Sequence, residues 1–461
     1  MPNCAAEFDL DTLPSGSPEE LAGPIEAPAK LSQRIPALDI LRGVALLGIL
    51  MLNIEDFAGS EGLSDIPVGL AKAAFVGWHA HLDWTIVIFK WLFAEGRMRG
   101  MFSMLFGAGV ILLTERIEQR AGQGKAAGVY YRRNLWLLLF GLIHGFVIWF
   151  GDILVDYSVM ALLFLYPLRR LGTRTLIVGG LTIWLIGGTV TRIHAAHVVE
   201  ILHRDAQLTA AREAGQNASQ AQQTLLAASQ NEQQAKAAAL TEDIRKGQLG
   251  FLDGWPHRIE AERDWLWAKF SSLRFVEWLG AMITGMGLYK AGFLTNRRPV
   301  REYVAVAIAG YAVALPLTLI GLWHLYQAGF TTAADARWMR IPYTAELCAG
   351  ALANTSFLLL LIRNGKLKAV FLPLAAVGRT AFSNYILTSI ICQTIFAWGP
   401  WKLFGQLEFY QWYLVVAGVW TFNLVFSSIW LRFFAFGPLE WLWRSLTYWK
   451  RQPLLLHQHS S

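Results

Sequence analysis

Asp39, Arg42 and Asn53 stand in a stretch that otherwise reads as a membrane helix, RIPALDILRGVALLGILMLNI from Arg34 to Ile54. At 100° per residue, Arg42 lies about 60° and Asn53 about 40° around the axis from Asp39, so all three share one face. Gly43, Leu46 and Leu50 lie between them. A rise of about 21 Å separates Asp39 from Asn53, so this polar face starts near one surface of a bilayer and ends near the other. Ionisable groups in a span are costly and face the protein interior. An Asp39–Arg42 pair could simply orient the helix, since i,i+3 ion pairs are ordinary. Gly43 points toward function, because a small residue admits another helix or a ligand.

Histidines are the next candidates. His144 lies inside the apolar run of FGLIHGFVIWFGDILVDYSVMALL, with Asp152 at the following turn and Tyr157 beyond it. Such a histidine is either a structural hydrogen bonder or a general base, the role suited to an imidazole near neutral pH, with Asp152 to orient it. The stretch GWHAHLDW offers His79, His81 and Asp83. A His-x-His pair can bind metal, but one nearby carboxylate is a thin ligand set, and no metal is expected. His79 or His81 could instead serve as a base at the membrane surface. His194, His197 and His203 have poor ligand spacing. Cys4, Cys348 and Cys392 form no metal or redox motif.

Arg379 and Asn384 stand in GRTAFSNYILTSIICQ, and Glu440 and Arg444 in FFAFGPLEWLWRSLTYWKRQPL. The second stretch reads as an amphipathic, Trp-rich helix at an interface. Arg42, Arg379 and Arg444 all fall near the same leaflet. Three converging guanidiniums would make a phosphate site, because each binds phosphate bidentately.

The elements that must position these groups are transmembrane helices. Of the 461 residues 54% are hydrophobic and 16% charged, with 20 Trp, 27 Phe and 41 Gly. This composition predicts an all-α, polytopic integral membrane protein embedded in a lipid bilayer. Apolar runs near 36–54, 100–115, 134–150, 153–168, 175–195, 273–293, 302–325, 342–362, 376–397 and 411–432 give about ten spans. The net charge of +7 does not indicate nucleic acid, because Lys and Arg sit in short clusters between apolar runs, the pattern of membrane orientation. Those clusters place both termini in the cytoplasm. The run from Trp84 to Gly100 is short and carries Lys90, which predicts a re-entrant or interfacial helix near 82–99 on the outer side.

The organisation expected is a disordered cytoplasmic tail over 1–33, N-terminal membrane helices over 34–195, an extracytoplasmic helical insertion over 196–270, C-terminal membrane helices over 271–435 and a cytoplasmic amphipathic tail over 436–461. The insertion is Ala/Gln-rich in its middle, with high helix propensity and a sparse apolar stripe, and reads as a solvated hairpin or arm. Nothing at the start resembles a signal peptide.

The stretches ALDILRGVALLGILMLNI, MFSMLFGAGV, GLIHGFVIWFGDIL, GRTAFSNYILTSII and FGPLEWLWRSLTY together resemble the YeiB family of bacterial inner-membrane proteins, domain-of-unknown-function family 418. The likeness runs from residue 34 to 453. Asp-x-x-Arg-Gly opening a first span, with Asn at its end, is also distantly similar to the heparan-α-glucosaminide N-acetyltransferase group and the bacterial membrane acyltransferases. That resemblance implies transfer of an acyl group from cytoplasmic acyl-coenzyme A to an acceptor on the far side, with help from a histidine. Asp39, Arg42, Gly43 and Asn53 match its pattern; the histidine that follows the Asn in that group has no counterpart at the same spacing, and His79 and His81 come later.

The leading expectation is therefore a membrane acyltransferase. Asp39, Arg42, Gly43, Arg379 and Arg444 would form the donor site for acyl-coenzyme A. Asn53 would stand by an envelope glycan, lipid or small-molecule acceptor, and His144 with Asp152, or His79 and His81, would supply the base. A polar stripe from face to face would equally suit a transporter or flippase. A non-catalytic scaffold for an envelope complex, binding through the outer arm, is the third reading.

Overall fold

A computed structural model describes residues 35–59, 77–122, 124–193, 241–328 and 334–455, with residue 238. The tail over 1–33, the middle of the insertion and His194, His197 and His203 lie outside the described residues. Those described are helical, with a single isolated bridge between Phe434 and Leu455. The principal helices are α1 (Pro36–Ala58), α2 (Ala80–Phe89), α3 (Arg97–Ala121), α4 (Ala126–Ile143), α5 (Leu154–Met160), α6 (Thr173–Thr182) and α7 (Trp255–Ser271). There follow α8 (Phe275–Lys290), α9 (Val300–Gln327), α10 (Tyr343–Asn364), α11 (Lys368–Arg379), α12 (Ala381–Gln393), α13 (Phe409–Phe433) and α14 (Pro438–Tyr448).

α1 starts on Pro36, whose missing N–H costs nothing in a first turn, with Asp39 placed on the positive end of the helix dipole. It is the central helix, packed by α3, α11, α12 and α13. α8 packs between α3 and α6, and α9 lies along α10. Where apolar helices already have apolar surroundings, close packing and internal polar contacts hold them together.

Among the described residues, six helical segments can cross a membrane by length and composition, and a seventh if α11 and α12, bent by 85°, count as one. The sequence reading of ten overcounts. Helix α8 has 16 residues, about 24 Å of rise against a hydrocarbon core of roughly 30 Å. The apolar helix over Leu154–Leu168 is shorter still. α4 carries Arg132, Arg133 and Asn134, which leaves only 135–143 apolar before the helix widens at His144.

One further expectation changes. The helical run Ala80–Arg120 contains a stretch apolar enough to be a candidate span, so the interfacial or re-entrant helix near 82–99 is not supported. Lys90, the residue that argued for a surface position, is buried against Glu55 of α1. Most of the stretch expected to form a solvated arm lies outside the described residues, and the last part of the insertion packs on the helices. α7 docks over the turn at 144–148 and buries Arg258, Glu262 and Lys269. Its Trp255 Nε1 donates to the Phe146 carbonyl at 3.2 Å.

Candidate functional site

Asp39 and Arg42 pair as the i,i+3 spacing predicts, Nη1 to Oδ1 at 3.1 Å. Gly43 next to them is filled by a neighbouring helix. A Cβ there would stand 2.0 Å from the Leu374 carbonyl oxygen of α11, and a Cβ on Gly378 would stand 1.8 Å from the Asp39 carbonyl oxygen. The reciprocal glycines bring the two backbones into contact and carry Arg379, the last residue of α11, to the start of α1.

Arg42, Arg379 and Arg444 then line one cavity of about 310 Å³ with Arg116 and Arg120 of α3 and Arg133 of α4. The acidic residues in its wall are Asp39 and Glu440, an excess of four positive charges. Arg133 lies within electrostatic reach of both Arg42 and Arg444, and its guanidinium stacks 3.5 Å from the Trp443 ring centre. Leu46, Phe102 and Phe106 form part of the apolar wall. A cluster of like charges with low-dielectric walls focuses potential and favours an anion. Arg116, Arg120 and Arg133 carried no sign of this role in the sequence beyond being basic, since only the packing of α3 onto α1 and of α4 onto α14 aims them inward.

Helix α14 is fixed to this cavity by Glu440. Its Oε1 accepts the N–H groups of Phe382 at 2.7 Å and Ser383 at 3.2 Å, and its Oε2 accepts the Ser383 hydroxyl. A carboxylate thereby caps the N-terminus of α12 from another helix. Burial pushes the Glu440 carboxyl up from its ordinary range, against the opposing pull of those hydrogen bonds.

At the other end of α1 a second cavity, of about 930 Å³, is lined by Asn53, Glu55, Arg99, Asp152 and Lys269 among others. Ile49 and Ile153 line both cavities. The polar face of α1 thus runs from the arginine-rich cavity past Ile49 into the large one.

His144 and Asp152 stand at this division. His144 Nδ1 lies 2.7 Å from Asp152 Oδ1, and His144 Nε2 lies 2.9 Å from Ser389 Oγ. Asp152 Oδ2 accepts the Val155 N–H at 2.7 Å. All three side chains are buried. A wide turn, closed by the Trp149 N–H on the His144 carbonyl at 2.9 Å, ends α4 at this point; such i→i+5 turns often mark functional positions. Ser389 was not singled out in the sequence, where a serine in an apolar helix has no distinguishing signal. Tyr157, also buried, pairs with Ser103 at 2.6 Å.

His79 and His81 are not brought to either cavity. His79 Nδ1 pairs with Asp83 Oδ2 at 2.6 Å, while His81 is exposed at the start of α2. Among the described residues no three or more His, Cys, Asp or Glu side chains group as metal ligands.

The family of proteins of unknown function DUF418 matches residues 288–450. The chain is 26% identical over 442 residues to the uncharacterized protein YxaH of Bacillus subtilis (strain 168), covering 93% of this chain and 97% of that one. It is 28% identical over 424 residues to the uncharacterized protein YeiB of Escherichia coli (strain K12), covering 90% and 96%. An uncharacterized 39.9 kDa protein from the amylase 3′ region of Bacillus acidopullulyticus is 25% identical over 434 residues, covering 94% and 99%. No solved structure matches the chain.

Proposed function

The chain belongs to the DUF418 family, and on that premise we propose that it is an acyltransferase of the bacterial inner membrane. It would take an acyl group from cytoplasmic acyl-coenzyme A and deliver it to a hydroxyl or amine on the outer side. One observation carries this reading: the arginine-rich cavity and the large cavity share Ile49 and Ile153 in their walls, beside the His144–Asp152 pair.

Arg42, Arg133, Arg379 and Arg444 hold the coenzyme phosphates, with Asp39 fixing the Arg42 fork. A cavity of about 310 Å³ is small for a ligand site. It takes the acyl-pantetheine arm along Leu46, Phe102 and Phe106, with the nucleotide toward the mouth. The thioester then points at the Ile49–Ile153 division. The acceptor enters the large cavity beside Asn53, and His144, held by Asp152, accepts its proton. A positioned base of this kind contributes roughly 10²–10⁴-fold. In this orientation both termini lie in the cytoplasm.

The second reading is a flippase for an anionic lipid or solute, favoured by the alignment of both cavities along one face of α1. Calorimetric titration of acetyl- and succinyl-coenzyme A into the purified protein in detergent separates the two. The expected result is saturable binding that Arg42→Ala weakens by about tenfold or more, the worth of a lost charge-assisted hydrogen bond. Folded protein that binds neither donor, together with counterflow of a solute in vesicles, would overturn the acyltransferase reading in favour of transport.

A further inference from the structure

We propose that Ser389 is a covalent way-station, acylated from the donor cavity and deacylated into the acceptor cavity. The inference rests on the acyl-transfer reading and adds an intermediate to it. Its basis is the position of Ser389 on α12. Tyr385, one turn earlier, lines the arginine-rich cavity, and Gln393, one turn later, lines the large cavity. Residues four apart share a helix face, so these three form one row, and Ser389 stands midway along a rise of about 12 Å between the cavities.

The groups around Ser389 are those that activate a serine. His144 Nε2 lies 2.9 Å from its Oγ, and the opposite ring nitrogen lies 2.7 Å from Asp152 Oδ1. With the Nδ1 proton donated to Asp152, Nε2 is the acceptor for the serine proton. Asp152 is itself held by the Val155 N–H. Nucleophile, base and orienting carboxylate are therefore all within hydrogen-bond reach, which is the geometric signature of covalent catalysis. Structural burial of a lone histidine would require a partner for each nitrogen, but not a hydroxyl placed between two cavities.

In the first half-reaction Ser389 Oγ attacks the thioester carbonyl carbon while its proton passes to His144 Nε2. The carbon–sulfur bond breaks, and the leaving thiolate takes the proton back from the imidazolium. In the second, the acceptor's O–H or N–H gives its proton to His144 and attacks the seryl ester carbonyl. The carbon–Oγ bond breaks, and Oγ recovers the proton. Each transfer is short and uses one cavity, so donor and acceptor never need to share a site. The buried triad must open on one side at a time, by rotation of the Tyr385 ring toward the donor and of Gln393 toward the acceptor.

The test incubates the full-length protein in detergent with radiolabelled acetyl-coenzyme A and no acceptor, quenches in acid and locates the label by peptide mass spectrometry. Label is expected on Ser389, absent from Ser389→Ala and lost on addition of hydroxylamine. Ser389→Cys, which keeps a nucleophile, is expected to label as a thioester and controls for misfolding of the alanine variant. Label on His144 or Cys392 instead would overturn the proposal. So would a Ser389→Ala protein that still transfers acetyl to an acceptor at the wild-type rate, and in that case direct transfer would stand and the acyltransferase reading with it. Failure of the folded protein to bind either acetyl- or succinyl-coenzyme A, with counterflow of a solute in vesicles, would overturn both.

Discussion

Lys90 Nζ lies 2.5 Å from Glu55 Oε1, joining the helical run over 80–120 to α1 with both side chains almost fully buried. Tyr413 of α13 adds its hydroxyl, 3.3 Å from the same carboxylate oxygen and 3.1 Å from the Met51 carbonyl. Three helices therefore meet at one carboxylate beside the large cavity. Either charge alone in such surroundings would be strongly unfavourable, whereas the pair with its extra hydrogen bond is tolerated.

Removal of one partner should consequently cost more than removal of both. Lys90→Met leaves Glu55 without its cation and is expected to destabilise by about 3–5 kcal/mol. The double variant Lys90→Met/Glu55→Leu is expected to recover most of that loss, because an apolar pair of similar volume can replace a buried ion pair. Thermal unfolding of the four proteins in detergent, followed by tryptophan fluorescence, gives the cycle. Strictly additive losses would show that the two side chains act independently.

The contact between Gly43 and Gly378 makes a second prediction. An added methyl at either position would fall on a backbone carbonyl at 2.0 or 1.8 Å, and a helix backbone cannot yield as a side chain can. Gly43→Ala and Gly378→Ala should separate α1 from α11, lower the melting temperature and weaken anion binding together, since Asp39, Arg42 and Arg379 ride on those helices. Gly418→Ala in α13 is the control. A Cβ there meets nothing within 4 Å, and alanine favours helix over glycine by about 1 kcal/mol. Its stability should be unchanged or slightly raised, with coenzyme binding intact. A Gly43→Ala protein that bound as tightly as Gly418→Ala would refute the linkage between this contact and the cavity.

What the sequence made legible, and what it did not, follows from the range of each interaction. The shared face of Asp39, Arg42 and Asn53 is a property of one helix, so periodicity alone placed it. Arg42, Arg379 and Arg444 could be assigned to one leaflet from hydropathy, because span ends fix depth in a bilayer. Arg116, Arg120 and Arg133 were indistinguishable from residues that only set orientation, since their inward aim depends on how α3 and α4 pack. Ser389 lies 245 residues from its partner His144, and no local pattern records such a pairing. Lys90 misled for a related reason: a charge in a short apolar run looks like a surface marker until its partner, 35 residues away, is known. The excess of predicted spans has a different source. Apolar composition continues through the wide turn at 144–148, where α4 has ended, and α8 and the helix over Leu154–Leu168 are apolar but too short to span.

Glu262 on α7 supplies a prediction in pH. Its side chain is buried against the turn of His144, and neither carboxyl oxygen has a hydrogen-bond partner among the described residues. Burial raises its pKa to about 8; Lys269 opposes the shift, and Asp152 and Asp156 add to it. The folded protein therefore holds this proton up to about pH 8, while the unfolded chain releases it near the ordinary value of 4.5. Below the lower value both states are protonated, and the group has no effect on stability. As pH rises through the window, folding must keep a proton that the unfolded chain gives up, and stability falls by as much as about 1.4 kcal/mol per pH unit. Above the upper value both states are ionised and the penalty stops growing. Glu262→Gln is neutral throughout and imitates the protonated carboxyl. Its melting temperature is expected to match wild type near pH 5 and to exceed it by a margin that widens to pH 8. Parallel curves for the two proteins across that range would mean that Glu262 is ionised in the folded state, held by Lys269, and that α7 docks over His144 with its charge intact.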